Sequence, residues 1–147
     1  MKRLSSGENW SALVDIYNGL SLKYGIPVGG EDIDKFEGNV RLTLASGDEE
    51  FMTLGSEKSE PPSPGEIVYK DDAGAICRCF NWREAVRTML TEETTNAFMC
   101  IETLSKEELP VLEEALEELK NLIEKELSGT CEKYIVSAES PEIVISN

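Results

Sequence analysis

Apolar residues recur at helical spacing in two stretches of the chain and alternate with polar ones in several others. Leu13, Ile16, Tyr17 and Leu20 share one face of a helix predicted over Ser11–Tyr24, capped by Ser11 and ended by Gly25 and Pro27. Val40, Leu42 and Leu44 alternate with Arg41 and Thr43, the pattern of a half-buried strand, and Phe51–Leu54 reads as a second short one. Residues 55–65 (GSEKSEPPSPG) are a surface loop by composition. Glu66–Lys70 and Ala75–Phe80 flank Asp71-Asp72-Ala73-Gly74, which predicts a hairpin, and further strands are expected at Ala97–Glu102 and Glu142–Ser146. The strongest pattern is a long helix over Ser105–Leu127. Ser105 and Glu108 form a capping box, Pro110 fits the first turn, and Leu112, Leu116, Leu119, Ile123 and Leu127 make the apolar stripe. Helix, strands, long helix and strand make an α+β domain, expected to be one unit over residues 1–147. Neither G-x-G-x-x-G nor G-x-x-x-x-G-K occurs, so no dinucleotide or P-loop site is indicated.

Composition narrows the chemistry. The 147 residues contain 14 Lys plus Arg and 29 Asp plus Glu, a net charge of −15, and no His. A field of that sign repels polyanions, which argues against sequence-independent DNA binding and confines any RNA contact to a local patch. Without His there is no Ser-His or Cys-His nucleophile and no imidazole metal ligand. Cys77, Cys79, Cys100 and Cys131 are too irregular for a disulfide framework or a zinc site; reduced thiols, no metal and no cofactor are the expectation. No apolar run is long enough to cross a bilayer, and MKRLSSGENW lacks the apolar core of a signal peptide. A cytoplasmic protein is therefore expected.

The stretch Cys77–Asn96 stands out. It places Arg78, Arg83 and Arg87 beside Phe80 and Trp82, a pairing of guanidinium forks with aromatic faces that suits an anionic or planar ligand. The same residues are equally compatible with a core aromatic cluster and arginines paired to nearby Glu. Gly29-Gly30 before Glu31-Asp32-Ile33-Asp34 reads as a flexible turn beside carboxylates. Thr91, Thr94, Thr95 and Asn96 can cap a helix, close a turn or line a pocket.

Four segments in this order carry a resemblance: Val14–Asn18, Pro27–Lys35 (PVGGEDIDK), Gly65–Asp71 (GEIVYKD) and Cys77–Asn96. They are similar to the B3/B4 domain of the phenylalanyl-tRNA synthetase beta subunit, in its small stand-alone form, over about residues 11–104. The resemblance implies a sandwich-like domain, with a mixed or antiparallel sheet packed by the N-terminal and long helices. It also implies association with tRNA, since in the synthetase this domain hydrolyses tyrosine misattached to the phenylalanine tRNA. Three departures matter. The family His falls at Gly29, a pocket Glu falls near Cys100, and a Gly-rich stretch is replaced by Asn81-Trp82-Arg83-Glu84. Only ten residues precede Ser11, so the N-terminal portion of the domain is expected to be shortened.

The leading expectation is a domain that binds tRNA or the aminoacyl end of aminoacyl-tRNA, with or without deacylation. Asn18, Gly29, Gly30, Asp32, Arg78, Asn81, Trp82, Arg83, Thr91 and Thr94 are its pocket candidates, and Arg78, Arg83 and Arg87 its anion contacts. Any hydrolysis would use water oriented by Asp15 or Asp32. The alternatives are an amino-acid-like small ligand in the same pocket without RNA, and a structural subunit without chemistry.

Overall fold

A computed structural model describes residues 12–79 and 82–145. Phe80, Asn81, Ser11 and Ser146 lie outside the described residues. The elements run α1 (Ala12–Tyr24), β1 (Val28–Asp32), a short 3-10 turn (Ile33–Lys35), β2 (Arg41–Leu44), β3 (Ile67–Lys70), β4 (Ala75–Arg78), β5 (Arg83–Glu84), β6 (Ala97–Ile101), a second 3-10 turn (Lys106–Glu108) and α2 (Leu109–Glu126). They form an α+β fold with two antiparallel sheets: a pair β1-β6, and a four-stranded sheet ordered β2-β3-β4-β5.

Strand alternation sorts the pair into two faces. Val28, Gly30 and Asp32 lie opposite Ile101, Met99 and Ala97, while Gly29 and Glu31 lie opposite Cys100 and Phe98. The first face meets the helices. Val14, Tyr17 and Leu20 of α1, Ala115 and Leu119 of α2, and Val28 and Leu90 form the main core, with Ala97, Met99 and Ile101 packed against it. Every position of β1 is buried. Its outer edge is held by an isolated bridge from Glu31 to Met89 and by Asp32 N–H donating to the Thr88 carbonyl at 2.8 Å. Gly30 is required there, because a Cβ would stand 2.6 Å from Met99 Sδ and 2.9 Å from Leu90 Cδ1.

Several sequence expectations need correction. Val28–Asp32 is a strand and not a flexible turn, and Arg83–Glu84 pairs as a short strand. Phe51–Leu54 is irregular, although Phe51 is fully buried. Residues 142–145 form no strand. Ser105 makes no side-chain capping bond; Thr103 Oγ1 donates to Glu108 instead, so the capping box is displaced by a neighbouring hydroxyl. The stripe of α2 is rotated: Ala115 and Leu119 are its buried residues, and Leu116 faces the tail at Tyr134 and Ile135. None of the described helices is long and apolar enough to cross a membrane.

A second, smaller core lies under the four-stranded sheet, where Phe51 packs with Ala75 and Ala85. Two guanidinium groups lie over its ring, Arg78 at 5.1 Å and Arg83 at 5.7 Å from the centroid. Replacing Phe51 by Ala removes that apolar filling and the shared face for both cations. Phe51→Ala is expected to cost about 3–5 kcal/mol, read as a lowered urea midpoint in equilibrium unfolding.

Candidate functional site

The inner face of the β1-β6 pair meets the four-stranded sheet, and a cavity remains between them. It is lined by Gly29, Gly30 and Glu31 of β1, Phe98 and Cys100 of β6, and Tyr69, Ile76 and Cys77 of β3 and β4. Its volume is about 10 Å³, enough for a single water molecule. Gly29 and Cys100, where two of the three departures noted in the sequence fall, are direct cross-strand partners on this wall. On the opposite wall, the Tyr69 hydroxyl donates to Glu102 Oε1 at 2.6 Å and lies 3.3 Å from Cys100 Sγ. Burial, reinforced by the neighbouring thiol and carboxylate, pushes the Tyr69 hydroxyl far above its ordinary range, so it stays protonated.

Two carboxyl groups meet at this cleft. Glu31 is 4% exposed, and no protein group among the described residues donates to either of its carboxyl oxygens. Burial pushes it up to about 9, against smaller opposing pulls from the Thr88 hydroxyl and the Arg87 charge. Thr88 is itself fully buried, and its hydroxyl makes no bond of proper geometry. Glu84 pairs across from Cys77 in the β4-β5 ladder, which turns it toward the same side as Tyr69 and Cys77. Burial raises Glu84 to about 7, offset in part by a hydrogen bond from the Gly30 backbone N–H. Its charge in turn raises Glu31, so the two titrate as neighbours.

The arginines lie elsewhere. Arg78 and Arg83 pair across β4 and β5 on the alternate face from Cys77 and Glu84. Arg78 donates to both carboxylate oxygens of Glu66 at 2.7 and 2.8 Å and to the Glu60 carbonyl. Arg83 is bound to the Glu60 carboxylate. Arg87 donates to both oxygens of Asp71, at 3.0 and 2.7 Å, and to the Lys35 carbonyl. Burial alone would raise Asp71, yet Arg87 and the N–H groups of Glu37 and Ala73 outweigh it and hold the carboxyl below its usual range. All three guanidinium groups therefore hold loops of this chain together. Trp82, 80% exposed beside the β4-β5 turn, presents its ring to solvent.

The remaining candidates also sit off the cavity wall. Asn18 and Asp15 are on α1, part-buried and exposed respectively. Asp32 points to the opposite face from Glu31, where it accepts from Thr94 Oγ1 at 2.9 Å and from the Asp34 N–H. Thr94 Oγ1 also accepts from the Thr91 N–H, and Asn96 donates to Asp34, so this hydroxyl-rich segment closes a turn. The expected roles of Asp15 and Asp32 in orienting water find no support in this placement. Glu31, Glu84, Tyr69, Phe98 and Cys77 were not among the pocket candidates. The missed signal is the alternation within Val28–Asp32, which two glycines disguised as a turn. Among the described residues no cluster of His, Cys, Asp or Glu is arranged to hold a metal.

A consequence for stability follows from the two raised carboxyls. The native state keeps protons on Glu31 and Glu84 that the unfolded chain releases near pH 4.5, so their contribution is complete below that pH. It is lost as pH rises toward about 7 for Glu84 and about 9 for Glu31. Wild-type stability is expected to fall between pH 5 and pH 8. Glu31→Gln should flatten the fall and exceed wild type at pH 8, as read from urea midpoints across that range.

Comparison with known proteins places this geometry. The family model described as the B3/4 domain matches residues 2–128. The phenylalanine–tRNA ligase beta subunit of Ruegeria pomeroyi is 38% identical over 89 residues, covering 60% of this chain and 11% of that protein. That of Fusobacterium nucleatum is 33% identical over 87 residues, with 59% and 11% covered. The matched stretch of this chain thus spans only about a ninth of the length of those relatives. Among solved structures, an N-terminal fragment of the phenylalanyl-tRNA synthetase beta subunit from Pyrococcus horikoshii superposes with a TM-score of 0.55 at 17% identity. The match covers 72% of this chain and 39% of that one, and it is a likeness of fold. With a match spanning most of its length, the chain belongs to the B3/4 domain family.

Proposed function

We propose that this chain binds the aminoacyl end of an aminoacyl-tRNA and seats the aminoacyl group in the cleft between its two sheets. The observation that carries the proposal is the cleft itself: a narrow, mainly apolar slot with a buried carboxyl on its wall, in a domain family shared with phenylalanine–tRNA ligase beta subunits. Such a slot suits a side chain better than a polynucleotide backbone. A cavity the size of one water admits only the head of a ligand, so seating a whole side chain requires the Tyr69 and Phe98 rings to swing or the sheets to part. The exposed Trp82 ring offers a base-stacking platform outside the cleft. Deacylation at this site would use water. Glu84, raised to about 7, has the proton affinity of a general base near neutral pH, whereas Glu31 is mostly protonated there.

The internal pairing of Arg78, Arg83 and Arg87, together with the charge of −15, favours a second reading in which the same cleft takes an amino-acid-like ligand with no RNA attached. One experiment separates the two. Retention of aminoacyl-tRNA over uncharged tRNA, weakening steeply with salt, is expected under the first reading. Hydrolysis of the mischarged form should then fall by about 10²-fold or more in Glu84→Gln. No retention and no turnover by the wild-type chain would overturn the first reading, and free amino-acid binding without a tRNA effect would establish the second.

A further inference from the structure

We propose that Glu31 is the acceptor for a primary ammonium group, which enters the cleft between the sheets and hydrogen-bonds to the carboxyl oxygens that no protein group satisfies. The inference rests on the cleft being a ligand site and deepens the reading above by naming the part of the ligand that is recognised first.

A carboxyl group taken out of water without donors is costly, and native folds rarely keep one unless a partner arrives from outside. Here the cost is concentrated. Both Glu31 oxygens and the Thr88 hydroxyl are buried with no hydrogen bond of proper geometry, and Thr88 is the one side-chain donor near enough to act on the carboxyl, while Asp71 and Glu49 each hold a cation and backbone N–H donors. Glu31 also lines the cavity, so its orphaned oxygens border the space that a guest would occupy. The space is water-sized, which matches an ammonium head and excludes a guanidinium fork.

The surrounding charges favour a cation over an anion. Glu84 faces the cleft from β5 and adds negative potential at Glu31. Arg87 is the cation that acts on Glu31, and both of its terminal nitrogens are already engaged by Asp71. The other titratable groups on the wall are Tyr69 from β3, Cys77 from β4 and Cys100 from β6, all neutral when protonated. A positive guest therefore meets the Glu31 carboxyl, with the negative potential of Glu84 beside it, and no free cation among the described residues of the wall. Apolar atoms of Phe98 and Ile76 lie beside them to receive the carbon next to the ammonium.

Entry of the ammonium group converts Glu31 from its protonated to its ionised form. The carboxyl proton leaves to solvent as an ammonium N–H takes its place, so binding near neutral pH releases close to one proton. Burial of the unliganded carboxyl, which lifts it to about 9, is consistent with that exchange.

Isothermal titration of the whole chain at pH 7 with phenethylammonium and with 2-phenylethanol tests this directly. The two probes share a ring and differ in the head group. The ammonium is expected to bind about 10-fold more tightly or better. Comparing phosphate with HEPES buffer, neither of which carries a primary amine, should show release of about one proton per ammonium bound. Glu31→Gln, which keeps the shape of the side chain, should abolish both the preference and the release. Equal affinities, a preference that survives Glu31→Gln, or no ammonium binding at millimolar concentration would each overturn the inference. The tRNA reading fails separately. Ammonium preference without retention of aminoacyl-tRNA sustains this inference and removes that reading. Equal retention of aminoacyl-tRNA and its N-acetylated form sustains that reading and overturns this inference.

Discussion

Burying a strand on both faces requires one of two things: side chains that are apolar throughout, or side chains small enough to let neighbours approach. Strand β1 uses the second solution on both of its faces. Gly30 lets Met99 and Leu90 close over the helix side, and Gly29 leaves the other side open toward Cys100 and Tyr69. The fold depends on this strand. It pairs with β6 along five positions, contacts α1, and has its free edge closed by residues 88 and 89. The same closure leaves Glu31 stranded in the interior, since alternation directs it away from the helices and into the seam between the sheets. The candidate site is thus a by-product of how β1 is packed, and its chemistry is that of a carboxyl kept from water.

The arginine-rich segment has its own logic. Arg78 and Arg83 stand opposite each other across two strands, a like-charge pairing that costs stability when left alone. Glu66 and Glu60 neutralise them, and the Phe51 ring spreads beneath both guanidinium groups. Glu60 belongs to the Pro/Ser/Glu-rich loop, so these pairs also tie down a segment that has no regular structure. Arg87 plays a similar part on the other side of the sheet by joining Asp71 of the hairpin to the backbone at Lys35. A chain with twice as many acids as bases uses its arginines where loops must be held.

Much of this architecture was legible in the sequence because period and turn chemistry are local. The α1 stripe, the hairpin around Asp71–Gly74, and the strands β2 and β6 follow from local pattern, although β2 is not half-buried as its alternation implied: Leu42 and Leu44 are exposed. Strand β1 was hidden because Gly29 and Gly30 carry no hydrophobic signal, although the absence of side chains is what buries it. Phe51 misled in the opposite sense: an apolar residue in a short run implied a strand, while its real role is to fill a second core from a loop. The rotation of the α2 stripe onto Ala115 and Leu119 reflects a helix serving two surfaces, the core on one side and the tail at Tyr134 and Ile135 on the other.

Which face of a strand carries a residue decides more here than which residues are neighbours in sequence. Cys77 and Arg78 are adjacent, yet one lines the cleft and the other clamps a loop outside it; Glu84 and Arg83 likewise fall on opposite faces of the ladder. The eye groups Arg78, Arg83 and Trp82 into one basic-aromatic cluster because they are close along the chain. The ladder turns Arg78 and Arg83 away from the cleft, which is lined by the less conspicuous Ile76 and Cys77 of the same segment, with Glu84 on the side of Cys77. An acidic chain can thus keep its cations for structure and leave its cleft negative. That distribution suits a ligand which brings its own positive charge better than one which brings phosphate.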